Sequence, residues 1–331
     1  SNIFPDSAWC KEQQAGVKTH INKISRMTDF RFPYMFLIGM LTVLLAGCSV
    51  QKIAMRQLAG SFDHAMDAYT RDGDPEFVKE AMPSTLKMVE MLLTSSPDNP
   101  QLLIAATSGF TMYAHAFLMQ EADVVEENGR RREARRMRER GKQMFLRARD
   151  YGLRGLDAQY PGFSAGLESN ADSTVAQVQQ SNISLLYWTA AAWGSAIGID
   201  AEDYELILDL PIVESLIQQA LRLDHTWGNG QLHEFMITFE AGQSGGMGGS
   251  LDSAEYHFQR ALELNQGHSA GTYVTAADAI AVRQQDKERF TQLLNKALEI
   301  DADAYPDLRL MNVLAQQRAR WLLDHPERYF L

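Results

Sequence analysis

The sequence predicts an all-α fold in which antiparallel helix pairs stack side by side as a solenoid. Helix-forming residues dominate after Cys48, whereas strand-like alternation of apolar and polar residues is scarce. Three helical segments also end in one shared form, Ala-Leu-x-Leu/Ile-Asp/Asn, at Ala220–Asp224, Ala261–Asn265 and Ala297–Asp301. A repeated helix that cannot bury its apolar face alone stacks on its neighbours. We therefore predict one all-α domain over residues 48–331.

The first element is an apolar run of thirteen residues, Tyr34–Ala46. A membrane-crossing helix needs roughly 20 apolar residues, whereas a shorter run followed by small residues is typical of a signal peptide. The stretch Leu45–Cys48 resembles the lipobox of bacterial lipoproteins, in which the cysteine becomes the acylated N-terminus. We therefore predict an upstream extension over 1–26, a lipoprotein signal peptide over 27–47 and lipidation of Cys48.

The following elements are helices separated by turn signals. Asp74 and Asn99 each precede a proline, an arrangement that suits an N-cap followed by Pro at the first helical position. Further breaks are predicted at clusters of Gly, Pro, Ser and Asn, namely Ser95–Pro100, Tyr160–Gly162, Gly228–Gly230, Gly242–Ser250 and Tyr305–Pro306.

Apolar residues recur at i, i+4 and i+7 before each shared ending, at Val213, Ile217, Ala220, then Ala254, Phe258, Ala261, then Phe290, Leu294, Ala297. Thr85, Val89 and Leu92 give an earlier copy. This pattern resembles the second helix of a tetratricopeptide repeat. The first helices lack the usual Trp-Leu-Gly-Tyr signature, so an irregular helical bundle stays open as an alternative.

The segment Asp172–Ile199 contains a helix that is apolar or small on every face. Such a helix is buried or lines an apolar cavity. We predict a ligand cavity with walls built partly from the aromatic side chains Tyr113, Phe117, Tyr187, Trp188 and Trp193. A central core helix remains an equally good interpretation.

No catalytic motif is supported. The two G-x-S-x-G sequences, at Gly162–Gly166 and Gly242–Gly246, lack the preceding strand that a nucleophile elbow needs. We expect His225 and His233, beside aromatic residues, to be satisfied imidazoles and not metal ligands. We therefore predict no enzyme, no cofactor and no metal. The formal charge of −11 argues against a nucleic-acid partner.

Ten arginines fall between Arg130 and Arg154. We predict a solvated helix whose charge is balanced through i, i+4 pairs by nearby acids, namely Glu121, Asp123, Glu126, Glu127, Glu133 and Glu139. No aromatic residue before Phe145 interleaves with the arginines, as base stacking would need. A membrane surface or a docking surface for a protein partner stays open.

Three blocks in the right order, Leu186–Gly194, Gly245–Leu262 and Tyr305–Leu323, are similar to sequences of the TRAP transporter T-component, or TatT-type, lipoproteins. The resemblance implies a periplasmic, lipid-anchored helical-repeat protein with a pore or cleft through its body. It further implies association with a periplasmic solute-binding P-component and delivery of a small hydrophobic ligand towards a tripartite ATP-independent importer.

Ser49 follows the predicted lipidated cysteine and is not the aspartate associated with inner-membrane retention in enterobacterial lipoproteins, which favours the outer membrane. The alternative function is a tetratricopeptide scaffold lipoprotein that helps assemble envelope proteins. Homo-oligomerisation is possible in either case.

Overall fold

A computed structural model describes residues 68–200, 203–243 and 249–330. Cys48 and the predicted signal peptide lie outside the described residues. Within those ranges every regular element is a helix and no strand occurs, so the all-α prediction is confirmed for that part of the chain. The α-helices are α1 Pro75–Ser95, α2 Pro100–Tyr113, α3 Gln120–Glu127, α4 Arg131–Gln159, α5 Phe163–Val175, α6 Ile183–Ile199, α7 Tyr204–Ile207, α8 Leu210–Asp224, α9 Gln231–Gln243, α10 Leu251–Asn265, α11 Ala270–Ala276, α12 Val282–Gln284, α13 Lys287–Glu299 and α14 Arg309–Asp324.

Two π-helical turns join neighbouring α-helices, Ala114–Met119 between α2 and α3 and Ala277–Ala281 between α11 and α12. Short 3-10 helices occupy Gln180–Asn182, Trp227–Gly230, Ala302–Ala304, Pro306–Leu308 and Pro326–Arg328.

The two predicted N-caps are confirmed. The side chain of Asp74 accepts hydrogen bonds from the backbone N–H groups of Glu76 and Phe77, both at 3.1 Å. The side chain of Asn99 accepts one from Leu102, also at 3.1 Å. The proline after each cap begins its helix, where the missing N–H costs nothing.

The three repeated helices are α8, α10 and α13, and each ends within its shared sequence block. All nine predicted apolar positions are at most 4% exposed, which confirms their burial. The earlier copy on α1 is wrong in register. The buried residues of that helix are Val78, Met82, Leu86, Val89 and Leu93, while Thr85 and Leu92 are only half-buried.

Most consecutive helices pack on each other, as α1 on α2, α9 on α10 and α13 on α14. The long helix α4 packs against α2, α3 and α6 at once. Glycines allow this approach, because a Cβ on Gly152 would overlap the hydroxyl of Thr189 in α6, and one on Gly155 would lie 2.8 Å from Leu185.

The C-terminal helix α14 returns to the first helices of the described chain. Leu310 and Leu314 belong to the same apolar core as Val78 of α1 and Leu102 of α2. Outside this core, Nη1 of Arg318 lies 2.8 Å from Asp123, and Nη2 of Arg71 lies 2.7 Å from Asp307. In an open solenoid each repeat contacts only its neighbours. Here the last long helix closes onto the first two.

The continuous helical stretch Pro100–Glu127 is long and apolar enough to cross a membrane by length and composition alone, with a mean hydropathy of 1.4 over 18 residues. However, 78% of that window is buried inside the protein, as in the core helix of a soluble protein. The packing of α2 against α1, α4 and α6 accounts for its apolar sequence.

Candidate functional site

His115 and Asp278 are exposed side chains within helical stretches that are otherwise mostly buried. His115 is the one exposed side chain from Leu102 to Leu118, a stretch that the structure describes completely. Asp278 is likewise exposed, although Ala277 before it and Ile280 after it are fully buried. An exposed side chain on a helix that is otherwise packed on all sides reaches solvent through a gap between helices.

The surrounding protein desolvates both side chains although they are exposed. Desolvation by the surrounding protein is the largest influence on both groups, and it lowers the pKa of His115 and raises the pKa of Asp278. The positive charge of Arg318 lowers both pKa values, and the negative charge of Asp123 raises that of Asp278. A side chain on a convex surface is not desolvated in this way. Exposure together with desolvation places each side chain in a concave part of the surface, which we call the interior space.

Both residues lie in the two π-helical turns of the described chain. His115 lies in Ala114–Met119 and Asp278 in Ala277–Ala281. A π-turn carries one extra residue, which redirects the side chains around it, and such turns occur frequently at functional sites. The two departures from regular helix thus coincide with the two titratable side chains that face the interior space.

Arg318 of α14 is the fixed positive charge beside them. Its guanidinium is held by Asp123 at 2.8 Å and lies 4.5 Å from the centre of the Trp321 ring. Because its charge acts on both His115 and Asp278, the α14 side chain lies near both π-turns.

Glu234 of α9 extends the polar lining towards α11. Its carboxylate accepts hydrogen bonds from the hydroxyl of Thr272 at 2.8 Å and from that of Thr275 at 3.5 Å. Desolvation raises the pKa of Glu234, and the two threonines oppose this. Thr275 precedes Asp278 by three residues on the same helical stretch.

An aromatic group completes this lining next to Glu234. Desolvation, and then the charge of Glu234, raise the pKa of the half-buried Tyr187. The Tyr187 ring lies 4.9 Å from that of Trp188 and 5.1 Å from that of Trp227, between ring centres. Glu234 therefore lies near both the threonines of α11 and the aromatic side chains of α6 and of the turn after α8.

The five aromatic residues predicted to bind a ligand fall into two groups, because Tyr187 packs against the same core that holds Trp193. Tyr187 and Trp188 contact each other beside Glu234. Tyr113 and Phe117, with ring centres 5.6 Å apart, lie in the core that α1 and α2 share. Trp193 is buried in a second core, where its indole N–H donates to Asp209 at 3.1 Å. A ligand-binding role for these residues stays a prediction.

Phe117 does line a cavity, together with Met82, Ala116, Leu310 and Leu314. Its volume is about 20 Å³. A space of this size holds about one water molecule. The cavity therefore marks imperfect packing between α1, α2 and α14.

Sequence reasoning missed His115, Glu234, Asp278 and Arg318. The signal for two of them is present, since His115 and Asp278 are single titratable residues within otherwise apolar helical stretches. A polar residue is expensive to bury unless it is satisfied or has a function. Glu234 and Arg318 do not stand out in this way, because other polar residues lie close to them in the sequence.

A histidine pair lies between α9 and α10. Nδ1 of His233 and Nδ1 of His257 are 2.8 Å apart, so one donates and the other accepts. Burial is the largest cause that lowers the pKa of each to about 4. Nε2 of His233 is buried without a partner among the described residues, so the prediction of a satisfied imidazole is wrong for that atom. No three His, Cys, Asp or Glu side chains in the described ranges are grouped to hold a metal.

Comparison with known proteins assigns the family. The sequence profile described as TRAP transporter T-component matches residues 71–330. A protein of Treponema pallidum (strain Nichols), named only "Uncharacterized protein", is 26% identical over 310 residues, which cover 87% of this chain and 95% of that one. T-components are accessory proteins of TRAP transport that are associated with the transporter in the periplasmic space, and they are not a known enzyme family. Because the profile spans most of the chain, this protein belongs to the TRAP transporter T-component family.

Proposed function

We propose that this chain is a lipid-anchored T-component that holds a small, partly apolar ligand in its interior space and exchanges it with a P-component. The observation that carries the proposal is that each of the two π-turns holds a titratable side chain, His115 or Asp278, that is exposed and yet desolvated by the surrounding protein. An accessory of transport needs such a space if it handles the solute itself.

The lining supports a ligand with an apolar body and a polar end. Ligand sites are mainly apolar with a few polar groups that fix orientation. Tyr187, Trp188 and Trp227 supply a cluster of aromatic surfaces, while Glu234 and Asp278 supply hydrogen-bonding groups on the adjoining helix faces. The narrow stripe of Ala191 and Gly194 lies on the same helix as Tyr187, and a Cβ on Gly194 would lie 3.3 Å from the Phe235 ring.

Copurified ligand tests the proposal. Organic extracts of the wild-type protein, analysed by mass spectrometry, should contain a small molecule that extracts of Ala191→Leu and Gly194→Leu lack. Both side chains would fill the narrow stripe, and overpacking costs roughly 1–3 kcal/mol. Ala304→Leu, the same change at an exposed position, is the matched control and should keep the molecule. If the folded fractions of Ala191→Leu and of Gly194→Leu both retained the molecule, the ligand site would be contradicted.

The membrane anchor is a separate part of the proposal. We infer acylation of Cys48, a periplasmic location and, from Ser49, the outer membrane as the site of attachment. Stable anchoring needs two acyl chains or one chain with a second signal. Metabolic labelling with a fatty acid should mark the wild-type protein and leave Cys48→Ala unlabelled and unprocessed. Label on Cys48→Ala would exclude this cysteine as the lipid acceptor.

Partner binding and tetratricopeptide-like stacking of the helix pairs complete the proposal. Purified P-component should bind the wild-type chain and bind Ala304→Leu equally well. A general envelope scaffold would offer an open concave groove to many partners. The return of α14 onto α1 and α2 favours the transport accessory over that scaffold. Binding of unrelated envelope proteins, without binding of the P-component, would favour the scaffold.

A further inference from the structure

The arginines of α4 divide into two groups. Five are engaged by described residues, namely Arg130 with Glu133, Arg138 with Asp123 and Glu126, Arg147 with Glu90, Arg149 with Asp150, and Arg154 with Asp98. Of these pairs, only Arg130 with Glu133 joins residues three or four positions apart along the chain. The prediction of i, i+4 balancing is therefore wrong, because Arg138 and Arg147 pair with α3 and α1, and Arg154 pairs with the turn between α1 and α2.

The second group consists of exposed arginines that have no hydrogen bond or ion pair with any described residue, namely Arg131, Arg132, Arg135, Arg136 and Arg140. Successive residues of an α-helix are turned by about 100°. These five therefore share one half of the helix surface, which we call the Arg face. The other half, with Ala134, Gly141 and Phe145, is buried against the body.

Little of the positive charge of the Arg face is neutralised by acidic side chains of the same helix. Like charges at i, i+4, as in Arg131 with Arg135 and Arg136 with Arg140, destabilise a helix. Glu133 pairs with Arg130 instead, and Glu139 accepts a hydrogen bond from Gln143. The chain as a whole carries a formal charge of −11, so this concentrated positive face runs against its general balance.

The composition of the Arg face selects among anionic partners. Protein interfaces have a desolvated centre rich in aromatic and apolar side chains. The exposed large apolar side chains of the described residues include none from Arg131 to Gln143. A layer of lipid phosphate groups needs no such centre, and guanidinium groups bind phosphate through paired hydrogen bonds.

We propose that the Arg face binds the phosphate groups of an anionic phospholipid bilayer. Basic residues near such a surface contribute about additively, and their effect ends within a Debye length. The contact would orient the body, since α4 would lie along the bilayer with its buried half, and the helices packed on it, directed away. This inference does not depend on the ligand proposed above.

Vesicle binding by the full chain tests the proposal. Binding to phosphatidylcholine vesicles is compared with binding to vesicles in which about one-third of the lipid is phosphatidylglycerol. The apolar run Tyr34–Ala46 and any acyl group on Cys48 contribute to both, so the ratio of the two affinities isolates charge. The wild type should prefer the anionic vesicles, and high salt should abolish the preference because the Debye length falls from about 10 Å to about 3 Å at 1 M.

The variant to be tested, called the stripe variant, combines Arg132→Gln, Arg136→Gln and Arg140→Gln, three neighbouring positions on the Arg face. The matched control is Lys287→Gln, Lys296→Gln, Arg320→Gln, which removes three exposed cations without a described partner from other helices. The stripe variant should lose at least about tenfold of the anionic preference and the control should keep it. An equal loss in both variants, an unchanged ratio in the stripe variant, or no preference in the wild type would each overturn the proposal. Loss of P-component binding in the stripe variant, with vesicle preference intact, would assign the face to a protein.

Discussion

Asp278 has no hydrogen bond or ion pair with any described residue, and desolvation raises the pKa of its carboxyl group. A carboxylate in such a place opposes folding at neutral pH, because burial disfavours its charged form. We expect Asp278→Asn to raise the melting temperature at pH 7 to 8, where the wild-type group is driven to ionise. Functional residues commonly carry such a cost in stability.

Thermal unfolding followed by circular dichroism measures this effect. Glu80→Gln is the control, because Glu80 is an exposed carboxylate on α1 without a described partner, and its neutralisation should leave the melting temperature nearly unchanged. A lower melting temperature for Asp278→Asn would mean that the carboxylate makes a stabilising interaction.

The histidine pair predicts a dependence of stability on pH. The pKa of His233 and of His257 is about 4 in the folded protein, below the ordinary value of 6.5. The folded state therefore binds fewer protons than the unfolded chain between these values. The free energy of unfolding therefore keeps its full value above about pH 6.5. It falls as the pH is lowered towards 4, by at most about 1.4 kcal/mol per pH unit for each histidine.

Melting temperatures measured from pH 7 to pH 5 check this prediction. The double variant His233→Leu, His257→Leu should show a shallower decline than the wild type. His225→Gln, a change at the exposed histidine whose ring centre lies 6.2 Å from that of His233, should decline like the wild type. Parallel curves for the double variant and the wild type would place the acid sensitivity elsewhere.

Among the elements, α4 depends on glycine for its close packing. A Cβ on Gly152 would overlap the hydroxyl of Thr189, which is buried and donates to the backbone of Leu185 at 2.6 Å. We expect Gly152→Ala to lower the free energy of unfolding by about 1–3 kcal/mol through overpacking. Chemical denaturation measures it.

Gly198 provides the opposite case for the same substitution. It lies near the end of α6, and a Cβ there would meet nothing within 4 Å. Gly198→Ala should raise stability by up to about 1 kcal/mol, because alanine favours helix more than glycine does. If both variants changed stability in the same direction, helix propensity and not packing would dominate on α4.

The elements were predictable where their cause is local. The caps at Asp74 and Asn99 depend on residues within one turn, and the apolar stripes of α8, α10 and α13 depend on spacing within one helix. The register on α1 was wrong because Thr85 and Leu92 fit the spacing as well as Leu86 and Leu93 do, and only packing against α2 decides between them.

The interior space was not predictable because its residues come from distant parts of the sequence. His115 and Asp278 come from helical stretches far apart in sequence, and the charge of Arg318, on α14, acts on both. The π-turns that present both residues have no recognised local signal in the sequence. Tyr187 and Trp188 were found because their helix is apolar throughout, but their neighbour Glu234 was not.

At the scale of the whole described body, α14 packs on the first two described helices and also on α11 and α13. Leu314 is 4% exposed in the core shared with α1 and α2, whereas Leu322 on the same helix is fully buried against α11 and α13. Each change to alanine should cost about 2–5 kcal/mol. Hydrogen exchange should show that Leu314→Ala loosens α1 and α2, whereas Leu322→Ala first loosens the C-terminal helices.

Equal loss of protection in α1 and α2 for both variants would mean that the described helices open as one unit. Loss confined to α14 in Leu314→Ala would mean that the contact with α1 and α2 contributes little. Either result would contradict a closing role for that contact in particular.

The place where the chain enters the described body also determines how the protein bears tension. Just before α1, the Tyr69 hydroxyl meets that of Thr85 at 2.5 Å, and Arg71 reaches Asp307 beside α14. A pull on the chain from its N-terminal side would act first on these contacts and then on the junction of α1 with α14. Under mechanical load the contacts between α1 and α14 would therefore break before those of the other described helices. Force applied at the N-terminal side would act on α14, the helix that carries Arg318, at an early stage of unfolding.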